Sequence, residues 1–167
     1  MEPTDGERAL RRLAAGLDTP MVVVTAATAD GRRAGCLVGF WTQCSIHPPR
    51  VLACISKANH TFGVAEEAPG LAVHWLAADD RALAELFGAE TGDDVDKFER
   101  CTWRPGPDGV PVLAGVKGWV AGPVLHRFDV GDHVAFLVAA EAGAAEDPAP
   151  GQLGFQAVRG LEAGHEP

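Results

Sequence analysis

Apolar and polar positions alternate with two different periods along this chain, and the changes of period mark its elements. Thr4-x-x-Glu7 forms a capping box, and Leu10, Leu13, Ala14 and Leu17 follow at helical spacing. Together they predict an amphipathic helix ending near Gly16 or Asp18. Pro20 opens a valine-rich run, Met21 to Ala27, that reads as a strand. Ala29-Asp30-Gly31-Arg32 carries the Asp-Gly signal of a tight hairpin, and Ala34 to Cys44 is the returning strand. Ile46-His47-Pro48-Pro49 is expected to break any ladder, because proline has no N–H to donate. Val51 to Ser56 predicts a third, apolar strand.

Asn59 and Thr61 can each cap a short helix to about Ala68, which Pro69-Gly70 ends. Leu71 to Ala77 predicts a fourth strand. Asp79-Asp80 predicts the cap of a helix whose Leu83, Leu86 and Phe87 form one apolar stripe. Gly88 to Gly109 is polar and turn-rich, with a helical hint only at Asp93 to Arg100. Val116 to Phe128 and Val134 to Ala142 read as strands hinged at Val130-Gly131-Asp132. Residues 143–167 form an Ala/Gly/Pro-rich tail in which Gly151 to Val158 reads as a short final strand. Strands outnumber helices and hairpins dominate, so the expected fold is mostly β with helical inserts, a closed, largely antiparallel barrel. At 167 residues, one domain spanning 1–167 is expected.

Charge narrows the partners. Fourteen Lys and Arg face 23 Asp and Glu, a net of -9, which leaves no basic footprint for nucleic acid or an anionic membrane. The start, Met1-Glu2-Pro3-Thr4-Asp5, lacks the basic and apolar regions of a signal peptide. No apolar run reaches the roughly 18 residues of a membrane helix, and a cytoplasmic location is expected. Cys36, Cys44, Cys54 and Cys101 include no C-x-x-C pair, so no zinc or thioredoxin signature is present. Three of them lie in apolar stretches and read as small core hydrophobes. The six histidines are scattered, and no metal site is expected.

The chain carries no P-loop, no Gly-x-Gly-x-x-Gly after a strand, no Gly-x-Ser-x-Gly and no His-Glu-x-x-His. Two segments remain for chemistry. Ser56-Lys57-Ala58-Asn59-His60-Thr61 enters a helix, where free N–H groups and the positive dipole end suit a phosphate; an ordinary capped helix is the competing reading. Gly131-Asp132-His133 between two strands is either a plain β-turn or a turn that holds an imidazole at a barrel mouth.

The order of short motifs joins these segments. Gly35, Thr42, Ser45 and Pro48-Pro49 precede Ser56 to Thr61; Asp96-Lys97-Phe98, then Gly109-x-Pro111-Val112-Leu113, then Gly131-Asp132-His133 follow. Over about residues 9 to 142 the chain resembles the flavin reductase-like family of FMN-binding split barrels, reductases that supply reduced flavin to partner monooxygenases. The resemblance implies that Gly39, Phe40, Trp41, Thr42, Gln43, Cys44 and Ser45 line the isoalloxazine ring. It implies that Ser56, Lys57, Asn59, His60 and Thr61 hold the ribityl phosphate and that Phe98 lies near the flavin rim. Asp132 and His133 match the motif associated with the nicotinamide nucleotide, His133 being the catalytic candidate, as an orienting hydrogen-bonding group.

The implied activity is hydride transfer from NADH or NADPH to FMN, or to FAD, in a homodimer with a monooxygenase client. Departures exist: the family's polar Thr-x-Asn-Ser-Phe-like run is Leu37-Val38-Gly39-Phe40-Trp41 here, and its usual Ser and Asp are Gln43 and His47. Trp41 has two uses open to it, stacking on a ring or packing in a dimer core. Two other readings stay open. One is a flavin-holding electron carrier without nicotinamide activity; the other is the same barrel around a deazaflavin or heme.

Overall fold

Thr4 begins the first helix as the capping box requires: its hydroxyl accepts from the Glu7 amide, and the Glu7 carboxylate accepts from the Thr4 amide. That helix, α1 (Asp5–Ala15), buries none of its residues, and Leu10, Leu13 and Leu17 are exposed. The computed structural model describes residues 1–147 and 150–164. The expected final strand, Gly151 to Val158, does not form: the segment makes two isolated bridges, Ala77 to Gln152 and Pro20 to Gly154, and then a short helix, α4 (Phe155–Val158). Leu153 and Val158 are buried, so the tail packs back onto the body.

β1 (Val22–Ala27) turns at Asp30-Gly31 into β2 (Arg33–Val38), the Gly31 φ of +89° supplying the left-handed turn position. The expected single returning strand is two. Backbone pairing stops at Gly39–Phe40, and β3 (Trp41–Ile46) then pairs with β4 (Pro49–Ser56). Pro48-Pro49 does not break this ladder, contrary to expectation, because Ile46 pairs with Pro49 across a tight turn and Pro49 is the first residue of its strand. α2 (His60–Glu67), β5 (Gly70–Trp75) and α3 (Arg81–Ala89) follow. Asp80 does not cap α3 with its side chain; its carboxylate accepts instead from the Ala77 amide. β6 (Trp103–Pro105) forms within the span expected to be turn-rich, and it pairs as a hairpin with β7 (Pro111–Leu113) just beyond it. β8 (Gly118–Asp129), β9 (His133–Ala139) and β10 (Ala142–Ala145) complete the strands.

The main sheet runs β2-β1-β5-β8-β9-β4-β3, antiparallel throughout, with β10 on β8. It is a strongly curled half-barrel and not the closed barrel expected. Its end strands, β2 and β3, are successive parts of one chain run, so they meet at a bend and not along a ladder. Alternate β1 residues face two cores: Val22, Val24 and Ala26 join the cluster inside the curl, while Val23 joins one formed with α3 and α4. Burial on both faces explains why β1 reads as continuously apolar. β8 changes partner near Gly122, going from β5 to β9. A Cβ at Gly122 would stand 1.9 Å from the Ala139 carbonyl oxygen, so no side chain fits this crossing. No helix among the described residues is long and apolar enough to cross a membrane.

The buried polar groups are paired. Thr25 donates its hydroxyl to the Pro111 carbonyl at 2.6 Å, tying β1 to β7. His74, fully buried in β5, places Nδ1 3.0 Å from the Val23 carbonyl and accepts from the Leu113 amide at Nε2. That pairing sets the neutral tautomer with the proton on Nδ1. Burial pushes its pKa down to about 4. Unfolding releases a histidine that binds a proton near pH 6.5, so stability is complete above that value and falls between about pH 6.5 and 4. Urea unfolding should therefore show a loss of about 3 kcal/mol across that window. In His74→Gln, which leaves a neutral polar group, that part of the pH slope should vanish.

Candidate functional site

Three turns meet at one corner of the sheet because β4 lies between β3 and β9 in the ladder. Ser56 pairs with His133 in the β4–β9 register, and the Lys57 amide donates to the Asp132 carbonyl at 2.9 Å. The Cys54 amide donates to the Phe40 carbonyl at 2.8 Å, which fixes the β2–β3 bend against β4. Phe40 thereby comes to lie beside His133, ring centroids 5.3 Å apart, while remaining well exposed. Residues distant in sequence, 40, 57–60 and 132–133, form one surface.

Asp132 orients His133: its carboxylate lies 2.7 Å from Nδ1, leaving Nε2 as the ring's other polar atom. The same hydrogen bond lowers the Asp132 pKa. Lys57 is not a free cation. It donates to Asp129 at 2.8 Å, and this bond holds the Asp129 carboxyl below the usual range. At the α2 entry, Asn59 caps by accepting from the Thr61 amide, and Ser56 accepts from the Ala58 amide through its hydroxyl and from Asn59 through its carbonyl. The Phe62 amide returns to Asn59. Of the amides from Lys57 to Phe62, only that of His60 lacks a partner among the described residues.

The remaining residues singled out from the sequence divide by exposure. Thr42, Gln43 and Cys44 are exposed on β3, the outermost strand, with Gly39 and Ser45 half-buried and a register shift between Gln43 and Ser45. An outermost strand keeps one row of backbone N–H and C=O groups unpaired, available to a planar ligand. Trp41 faces inward instead: it packs edge-on against Trp75 at 5.2 Å and donates Nε1–H to the Pro20 carbonyl. Thr61 is buried and meets Cys36, and Phe98 is buried between Phe87 and Trp103. These three, with Ser56, which is also buried, build the walls and do not face the surface.

Asp129, Asp93 and Lys97 carry charges that sequence reading did not assign to the site. Asp93 accepts from or faces His60 Nδ1 at 2.8 Å, and that contact lowers the Asp93 pKa. Lys97 is buried and donates to the carbonyls of Gly35 and Phe87; burial lowers its pKa. Its place in the Asp96-Lys97-Phe98 motif and the scarcity of lysine, only Lys57, Lys97 and Lys117, were the available signals. Among the described residues no group of three or more His, Cys, Asp or Glu could hold a metal ion.

An antiparallel half-barrel that gathers its polar turns at one corner is a scaffold for a flat ligand laid across strand ends. The chain belongs to the flavin reductase-like domain family, whose model matches residues 14–161. It is 30% identical over 134 residues to the reductase subunit HsaB of a flavin-dependent monooxygenase from Mycobacterium tuberculosis, covering 78% of this chain and 70% of that one. It is 27% identical to the solved NADH:FAD oxidoreductase SgcE6 of Streptomyces globisporus, with a TM-score of 0.78 over 92% of this chain and 90% of that one. A probable flavin reductase of Rhizobium meliloti is 28% identical over 130 residues, and there the chain spans only 41% of the relative's length.

The four thiols should separate chemically. Burial pushes Cys36 up to about 11 and raises Cys54 and Cys101, whereas Cys44 is exposed on β3; contrary to expectation it is no core residue. Alkylation with iodoacetamide at pH 8, followed by peptide mass mapping, should label Cys44 first and Cys36 last.

Proposed function

We propose that this chain is a flavin reductase that takes a hydride from a nicotinamide nucleotide and passes reduced flavin to a partner monooxygenase. The observation that carries the reading is the convergence of Phe40, the Ser56–His60 turn and His133 on one exposed corner. Bound flavin would supply the redox chemistry, accepting a hydride from the nicotinamide. The protein's part is to bind, orient and keep the partners in register.

The unpaired edge of β3 at Gly39 to Ser45 suits the polar rim of an isoalloxazine ring, with Phe40 giving an apolar surface. The free His60 amide, the α2 dipole and the Lys57 ammonium suit the phosphate. Lys57 is shared with Asp129, and the neighbouring amides are spent on the turn itself, so few donors remain to grip an anion. Weak grip suits a flavin that enters oxidised and leaves reduced, and it disfavours a permanently held electron carrier. His133, set by Asp132, offers Nε2 to the nicotinamide nucleotide as an orienting hydrogen-bond partner. It is not required as an acid, because hydride transfer moves no proton. The printed names of relatives, FMN reductase (NADH) SmoA of Agrobacterium fabrum and NADH-dependent FAD reductase of Streptomyces globisporus, support NADH as the donor.

The curled sheet and the family together support the FMN-binding split-barrel type. Phe40 and Ile46 on one side of the site, and Leu125, Phe128 and Val130 on the other, are exposed, and they support a homodimer formed beside the site. A cytoplasmic location goes with the nicotinamide donor.

The test is anaerobic titration of the purified chain plus flavin with NADH or NADPH, followed by flavin bleaching. NADH-driven bleaching is expected; no bleaching with either nucleotide would overturn the reading. His133→Ala should raise the KM for NADH by about tenfold, one lost hydrogen bond's worth, with flavin affinity little changed. If it leaves NADH oxidation untouched, the electron-carrier alternative gains. Phe128→Lys should convert a dimer to monomer in analytical ultracentrifugation.

A further inference from the structure

A cleft of about 330 Å³ opens beside the proposed phosphate end of the site and shares His60 with it. Its volume falls at the low end of the roughly 300–1,000 Å³ typical of small-molecule sites. His60 is at once the first residue of α2 and part of the cleft wall. Gly92 allows this: a Cβ there would stand 2.5 Å from the His60 ring, so only glycine lets the imidazole lie against the 91–94 loop and reach Asp93.

Opposite stands Arg33. Its guanidinium lies over the Trp103 ring, 4.8 Å from the centroid, and reaches Asp96 at only 3.9 Å, too far for a good hydrogen bond. The indole supports one face of a flat cation that lines the cleft. A planar guanidinium backed in this way is a platform for an aromatic base. The charges of the wall say which kind of ligand brings that base. Asp93, Asp94 and Asp96 face the cleft, and Lys97 spends donors on two carbonyls, so an anion gains little there. Carboxylates instead accept hydrogen bonds from ribose hydroxyls and from an exocyclic amine.

We propose that this cleft takes the adenosine end of FAD, so that FAD, and not FMN, is the flavin this chain prefers. The inference rests on the reading of the Ser56–His60 turn as the phosphate end. From there a pyrophosphate passes His60, the adenine stacks on Arg33, and Asp94 or Asp96 accepts from the ribose.

Quenching of flavin fluorescence by the full chain, without nicotinamide, tests this. FAD should bind about tenfold more tightly than FMN, the size of a base-stacking contact. Arg33→Ala should remove that advantage while leaving FMN affinity unchanged. Asp94→Trp, on an exposed loop, should do the same by filling the mouth, and it covers the case in which Arg33→Ala fails to fold. Equal affinities for FMN and FAD in the unmodified chain would overturn the proposal. So would variants that weaken both flavins alike, or that change only the KM for NADH, which would give the cleft to the other dinucleotide. If neither flavin binds, the underlying reading of the site fails as well.

Discussion

One stretch of chain, Arg33 to Ile46, has to serve as the edge of two ladders at once. Its first half pairs with β1 and its second half with β4, and no straight strand can do both when the sheet curls. The break at Gly39–Phe40 resolves this, held by the Cys54 amide on the Phe40 carbonyl. The bend turns Phe40 outward toward His133 and Trp41 inward onto Trp75. A single backbone discontinuity thus shapes the sheet and separates a site residue from a core residue one position apart.

The interior tolerates little polarity, and three of the buried polar groups that it holds join elements far apart in the chain. Thr25 ties β1 to β7, His74 ties β5 to both, and Lys97 ties the 97–99 turn to β2 and α3. An unpaired buried donor or acceptor costs roughly 1–3 kcal/mol, so these pairings favour this arrangement of the small β6–β7 hairpin over alternatives. The hairpin closes the side on which Trp103 supports Arg33, which makes the cleft wall a consequence of core pairing.

Local signals in the sequence were read well where one residue type carries one physical task. The Thr4 box, the Asp30-Gly31 turn and the Asn59 cap all occur as their side-chain chemistry requires. The apolar run of β1 was legible because both faces are buried. What failed depended on pairing at a distance. The bend at Gly39 has no local marker, since Gly-Phe-Trp reads as ordinary strand. Pro48-Pro49 looked like a ladder break because proline's missing N–H is a local fact, while its placement at a strand's first residue is a tertiary one. Cys44, flanked by Gln43 and Ser45 on an outermost strand, is exposed despite the expectation of a core thiol.

Electrostatics shows the same division. The family resemblance gives Lys57 to the phosphate, but the fold brings Asp129 from 72 positions away to share it. With a net of -9, a cation left unshared would be the strongest attractor for any anion on the molecule. Sharing it lowers the field at the corner while keeping a donor in place, and the turn's own hydrogen bonds consume most neighbouring amides. Much of the attraction of a nucleotide must then come from flat surfaces: the phenyl ring of Phe40, the unpaired edge of β3 and, by our proposal, the guanidinium face of Arg33. Flat contacts of that kind recognise rings in preference to phosphates. They therefore suit the exchange of flavin and dinucleotide between solvent and partner better than permanent retention does.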